Sequence, residues 1–307
     1  MESAADTTWK GFSLAERDRR WAAVRANAAR EGLDCILVSP NNEFDGRYLT
    51  DMQGTSIVLP TAGRTPIAVN DRGRSNAWLV DVRPGQRAAG KALAQALQEL
   101  GMERSRIGVA ALHGGRLSHV RAPEGMVNYT CLQTIKDMLP NATFEDGTDA
   151  VGLSRYVKGE EEIDALRRAT AIAEAGIEEM VRVARPGEDA AVLYGRVSGR
   201  LLELGSEHYR HGLALTLQDP DEDEEPTRYT APPLGRRLLP GTLITNEVNA
   251  VFAGLVAQED QPILLDRIPE DWKPVIELQI TSENVRLKRT DDGYRLEITS
   301  KPEKTEK

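Results

Sequence analysis

The 307-residue chain has two cysteines and four histidines. Cys35 and Cys131 sit among apolar neighbours, in DCILV and YTCLQ. Two such thiols make no disulfide framework and fit buried free cysteines in a reducing compartment. Four histidines leave little material for a histidine-rich metal site. No apolar run approaches the roughly 20 residues of a membrane helix. The start, MESAADTTWKGFS, lacks the basic and apolar regions of a signal peptide. Positive charge is also short: the net charge is −9. That leaves no basic footprint for nucleic acid and no attraction to an anionic membrane. The expectation is a cytoplasmic protein with neither nucleic acid nor membrane as partner.

What is present is ordinary globular material, 40% hydrophobic and 28% charged, long enough for two domains. Leu14, Trp21, Val24 and Ala28 share one face of a helix over 14–30, closed by Gly32. DCILVSP (34–40) reads as a buried strand. Short strands are expected at 48–50, 55–60, 66–70 and 78–83, then a helix over 88–100. A strand over 106–112, a helix over 123–139 and a strand over 143–147 complete an α/β domain spanning 1–150. The second domain, 151–307, opens on one long amphipathic helix from Leu153 to Ala184, then a helix from about Asp189 to Leu204. A strand follows within 208–217, and then the acidic run DPDEDEEP (219–226), read as a solvated loop.

LLPGTLITNEVNAVFAGLVAQEDQPILL (238–265) reads as a β-hairpin turning at Gly254. Glu247 and Gln258 stand eleven residues apart on its two arms, where facing residues can meet as a cross-strand pair. A last hairpin is expected around Asp291-Asp292-Gly293.

Three stretches together carry a resemblance. Arg236, Leu238 and Gly241 give R-x-L-x-x-G ahead of an apolar strand, a carboxylate, a glycine turn and a polar residue. Arg155, Lys158, Glu161, Ile163, Leu166, Arg167 and Ala169 form a boundary-helix pattern. GLDCILV followed by YLT completes an opening strand and loop. This order resembles the creatinase / Xaa-Pro aminopeptidase family. The resemblance implies a mixed α/β (α+β) architecture: a creatinase-like N-terminal domain, then a pita-bread C-terminal domain, here shortened before the terminal hairpin. It also implies hydrolysis of a C–N bond in a peptide or a small amide or amidine.

In that family two Asp on this hairpin, a His and two Glu hold two divalent ions. Here Glu247 falls on the first Asp position and Gln258 on the second, and all four histidines precede the hairpin. Gln258 offers only a neutral oxygen. The expectation is no cofactor, or at most a single divalent ion (Mn, Zn, Fe or Co) at Glu247. Creatinase, with the same fold, works through a histidine and no metal. The matching stretch here, PTRYTAPP, supplies Arg228 and Tyr229 instead.

The candidate catalytic residues are therefore Glu247, Gln258 and Tyr229. Arg228, His208, His211 and His113 are candidates for substrate binding, with a peptide or small molecule as substrate. The alternative is a non-catalytic protein that binds a small molecule or a partner. No nucleophile elbow, phosphate loop or dinucleotide fingerprint appears. A shortened sheet would expose apolar surface around PILL (262–265) and VIELQI (275–280), which points to a homodimer.

Overall fold

The computed structural model describes residues 9–40, 42–114, 125–208, 212–220 and 226–266. For 285–290 and 293–298 it describes the backbone alone. The chain forms two compact units, Met1–Ala165 and Leu166–Lys307.

The first unit begins with α1 (Leu14–Arg30). Ser13 caps it by accepting the Glu16 N–H, and Gly32 at φ 69° lets the chain turn back. Trp21, Val24 and Ala28 are buried as the spacing requires, whereas Leu14 is exposed. The sheet runs in the order β4-β3-β2-β1-β5-β6, from β1 (Cys35–Val38), β2 (Ser56–Pro60), β3 (Ile67–Asn70), β4 (Val82–Pro84), β5 (Arg106–Val109) and β6 (Thr143–Asp146). α3 (Ala89–Glu99) and α4 (Tyr129–Met138) cover it, with Leu37, Leu93, Leu97, Ile107 and Ile135 in the core between.

Four expectations are corrected. Residues 48–50 end a helix, α2 (Glu43–Thr50), and are not a strand. Asn42 caps its start, and buried donors take two of its last carbonyls: Arg20 bonds Tyr48 O and Trp21 bonds Leu49 O. Residues 78–79 leave the strand because the Asn76 side chain accepts both their N–H groups in a turn. α4 starts only where the Asn128 side chain caps it. The long helix from 153 is two helices, α5 (Thr148–Tyr156) and α6 (Glu160–Val183). Gly159 separates them, and a Cβ there would lie 2.7 Å from Glu16 and 2.8 Å from Arg19.

The two compact units divide past that break, within α6. α5 and the first turn of α6 pack with α1. Arg155 pairs with Asp45 at 3.1 Å, and Glu161 accepts both the N–H and the hydroxyl of Ser13. The boundary-helix pattern is thus a set of tethers.

At its centre lies Arg20, only 2% exposed. Its guanidinium stands 4.1 Å from the Phe12 ring, 4.7 Å from Tyr48 and 5.3 Å from Trp78. It donates to Glu16 at 2.7 Å and faces the fully buried Glu162 at 3.6 Å. Arg19 reaches the same two carboxylates at 2.7 Å and 2.5 Å.

The second unit packs α6 and α7 (Ala190–Glu203) on a sheet of order β10-β9-β7-β8. Its strands are β7 (Leu213–Gln218), β8 (Thr227–Tyr229), β9 (Leu243–Phe252) and β10 (Leu255–Glu259), and β11 (Ile263–Leu264) pairs with β9. Met180, Leu193, Val197, Leu215 and Val248 form the core. In PILL, Leu265 is 4% exposed and Ile263 packs on that core, while Pro262 is exposed. VIELQI, His119, His211 and Asp291-Asp292 lie outside the described residues. A final antiparallel hairpin joins β12 (Val285–Thr290) to β13 (Gly293–Ile298).

Replacing Arg20 by Met keeps its bulk among the rings but leaves Glu16 and Glu162 without this partner. The expected cost is about 3–5 kcal/mol, read by chemical denaturation at pH 7. The sign with pH follows from Glu16. Burial pushes its carboxyl up, but hydrogen bonds from Arg19 and Arg20, with their charges, outweigh it and hold it below the ordinary value of 4.5. Its contribution is therefore whole above about pH 4.5 and is lost as pH falls through the lower folded value. The difference between native and Arg20→Met protein should shrink in that acid window; a difference that grows there would refute the assignment.

Candidate functional site

β9 alternates. Ile244, Val248 and Ala250 point to the helices and fill the core. Thr245, Glu247 and Asn249 therefore point to the other face. Neighbouring strands follow the same pleat. Thr216 stands opposite Thr245 and also opposite Arg228, and Ala214 stands opposite Glu247. The second face thus carries a polar row from β8 across β7 to β10: Arg228, Thr216, Thr245, Glu247, Asn249 and Gln258.

The hairpin register differs from a direct Glu247–Gln258 pair. The turn at Ala253-Gly254 has φ of 51° and 75°, a two-residue turn that sets Phe252 opposite Leu255. Gln258 then faces Asn249, and Glu247 is its diagonal neighbour. Gln258 donates to Asp260 at 3.1 Å.

Glu247 instead meets Arg228. The guanidinium donates to both carboxylate oxygens, at 2.8 Å and 2.7 Å, as a two-pronged ion pair. The side chains are 50% and 36% exposed. The bond raises the Arg228 pKa above its ordinary value. Arg228 and Glu247 are brought together here.

The other candidates take no part in that ion pair. Tyr229 is the next residue on β8, so it points to the helix side and packs on the core. Gln258 is exposed. His208 is exposed beyond α7, where it borders a cavity of about 220 Å³ with Tyr194, Ser206 and Asn249. His113 is exposed in the first unit, where its N–H bonds Asp146 at 3.4 Å.

The R-x-L-x-x-G lead-in positions this face. Arg236 bonds the buried Asp219 at 2.7 Å, and the Thr242 hydroxyl also donates to Asp219. Leu238 is buried and exchanges backbone bonds with Gly187 and Glu188. Gly241 has φ 92°, and a Cβ there would press on Pro220 at 3.0 Å. Asp219, first residue of the acidic run, is therefore a buried anchor and not a solvated charge. Asn249, 6% exposed, is the residue that sequence reasoning passed over. Counting the register out from the two turn residues would have placed it opposite Gln258.

The donor set was weighed against the two divalent ions that the resemblance implies. Both oxygens of Glu247 accept from a cation already present, and Gln258 is neutral and turned to Asp260. Among the described residues no group of three or more His, Cys, Asp or Glu is placed to hold a metal ion. These residues do not fit a two-metal centre.

No family model matches the chain. It is 24% identical over 203 residues to an uncharacterized hydrolase/peptidase of Sinorhizobium fredii, a match over 62% of this chain. The match takes in 50% of that protein, so the chain spans about half the length of the curated relative it matches. Among solved structures it resembles the X-Pro aminopeptidase of Thermotoga maritima, with TM-score 0.64 and 15% identity over 84% of this chain and 68% of that one. The Xaa-Pro dipeptidase of Bacillus anthracis gives 0.64 and 15%, covering 88% of this chain and 74% of that one. The prolidase of Thermococcus sibiricus gives 0.65 and 15% at the same coverages. The chain has the pita-bread fold of the Xaa-Pro peptidases.

Replacing Arg236 by Met strands the Asp219 carboxylate. The expected loss is about 3 kcal/mol, read by urea denaturation. An unchanged midpoint would show that the lead-in does not depend on this pair.

Proposed function

We propose that this protein is a hydrolase-type relative of the Xaa-Pro aminopeptidases and creatinase. It takes a peptide or small amide on the Glu247 face and acts on its C–N bond without a two-metal centre. One observation supports this most directly. At the hairpin position of the first metal ligand, Glu247 is held by Arg228, inside a row of hydroxyl and amide side chains. Such a row suits an amide: Thr216 and Thr245 donate and accept, and Asn249 and Gln258 do both.

The reading departs from a peptidase in its chemistry. A base must be within reach of the proton it takes and have a pKa near the working pH. Glu247 has both oxygens engaged, and Tyr229 faces the core. A second reading, binding without turnover, is favoured by the same engagement, because neither oxygen of Glu247 is left unengaged to activate water.

The test is a thermal-shift series with Xaa-Pro dipeptides, followed by hydrolysis with and without a chelator. The expected result is a rise in Tm that Glu247→Gln and Asn249→Leu abolish, and any turnover unaffected by chelator. Binding with no turnover selects the second reading. Turnover that a chelator removes, or no Tm response to any peptide or amide, overturns the proposal.

A further inference from the structure

We propose that the Arg228 guanidinium is the resident cation of this site: it occupies the Glu247 carboxylate in place of a divalent metal, and its removal opens the face to one hard metal ion. The inference rests on the reading of the Glu247 face as the site, and concerns what fills it before a ligand arrives.

The strand order makes the contact possible. Arg228 lies on β8 and Glu247 on β9, with β7 between them. The β7 residues on that face, Ala214 and Thr216, are small, and Arg228 stands opposite Thr216. A long side chain can cross them, and its fork meets the carboxylate edge on, at 2.8 Å and 2.7 Å. A lysine would bring a single point of charge; arginine covers both oxygens at once and stays charged at every working pH.

Arg228 also feels the negative charge of Asp260, after its stronger interaction with Glu247. A divalent ion entering there would have to displace it and then lie beside a positive charge. The other nearby donors, Asn249, Gln258 and Thr245, are neutral and cannot offset that repulsion. Without Arg228 the balance reverses. Glu247 then keeps two carboxylate oxygens that the guanidinium no longer covers, with the amide of Gln258 one register step away across the hairpin, hard oxygen donors of the kind that Mn²⁺ accepts.

The experiment measures Mn²⁺ by elemental analysis and titration calorimetry on native protein, Arg228→Ala, Arg228→Ala with Glu247→Gln, and Arg228→Lys. The pair is half-exposed, so the variants are expected to fold, and circular dichroism with the melting curve checks this. The expected result is only trace Mn²⁺ in the native protein and about one equivalent in Arg228→Ala. The double variant should lose that ion, and Arg228→Lys should fall between native and Ala. Two results overturn the inference. One is stoichiometric Mn²⁺ in the native protein that a Glu247→Gln single variant, measured alongside, loses; the other is a folded Arg228→Ala protein that binds no more Mn²⁺ than the native one. Neither depends on peptide binding, so the dipeptide thermal shift can fail or succeed independently.

Discussion

A charged guanidinium that is 2% exposed constrains everything around it. Arg20 needs rings to lie against, carboxylates to neutralise it and carbonyls to accept its remaining protons. Those partners come from five places in the chain: Phe12, Glu16 on α1, Tyr48 on α2, Trp78 and Glu162 on α6. No two of these segments could shift apart without leaving a buried charge or an orphan carbonyl. The cluster explains features that look unrelated in sequence. It ends α2 after Thr50 and fixes the Trp78 turn. It also breaks the long helix at Gly159, where the backbone comes within reach of Glu16 and Arg19.

The same chemistry recurs twice in the second unit, at decreasing depth. Asp219 is buried and held by Arg236, and it fixes the turn that launches β9. Glu247 and Arg228 have the same partners in kind, yet both are well exposed. Depth decides what such a pair does. A buried pair is costly to break and therefore structural. An exposed pair contributes little to stability, about 1 kcal/mol or less, so a ligand or an ion can compete with it. By that measure Arg20 and Arg236 belong to the scaffold, and the Arg228–Glu247 pair is open to exchange.

The sequence disclosed the elements whose signals are local. α1, α3, α7 and the hairpin strands follow from apolar period, caps and glycine turns. The errors fell where a distant side chain decided the matter. Residues 48–50 read as strand because YLT is β-prone, and only Arg20 and Trp21 make them a helix end. Leu153 to Ala184 reads as one helix because its apolar face continues across 157–159. The close approach of α1 to Gly159 is a tertiary fact. In the site, the type of residue at 247 and 258 was legible, but their register was not. A hairpin with Ala253 at a positive φ carries no Asn-Gly signature, so the turn had to be seen before Asn249 could be set against Gln258. The acidic run misled in the opposite direction, since its first residue, Asp219, is buried.

Fold and chemistry separate in this protein, and the place where they separate is narrow. The lead-in, the strand alternation and the helix-backed sheet are those of the pita-bread fold, and they depend on residues such as Asp219, Arg236, Leu238 and Gly241 that are tied into the scaffold. The chemistry depends on which side chains the alternation delivers to the second face. There a glutamate and a glutamine stand where two aspartates would bridge metals, and an arginine supplies the positive charge. A sheet of this kind can exchange its face residues without losing its core, because the two sets alternate along the same strand and only one is packed. Likeness in fold therefore reaches the packed set of residues, while the exposed set, with the Arg228–Glu247 pair in it, is free to differ.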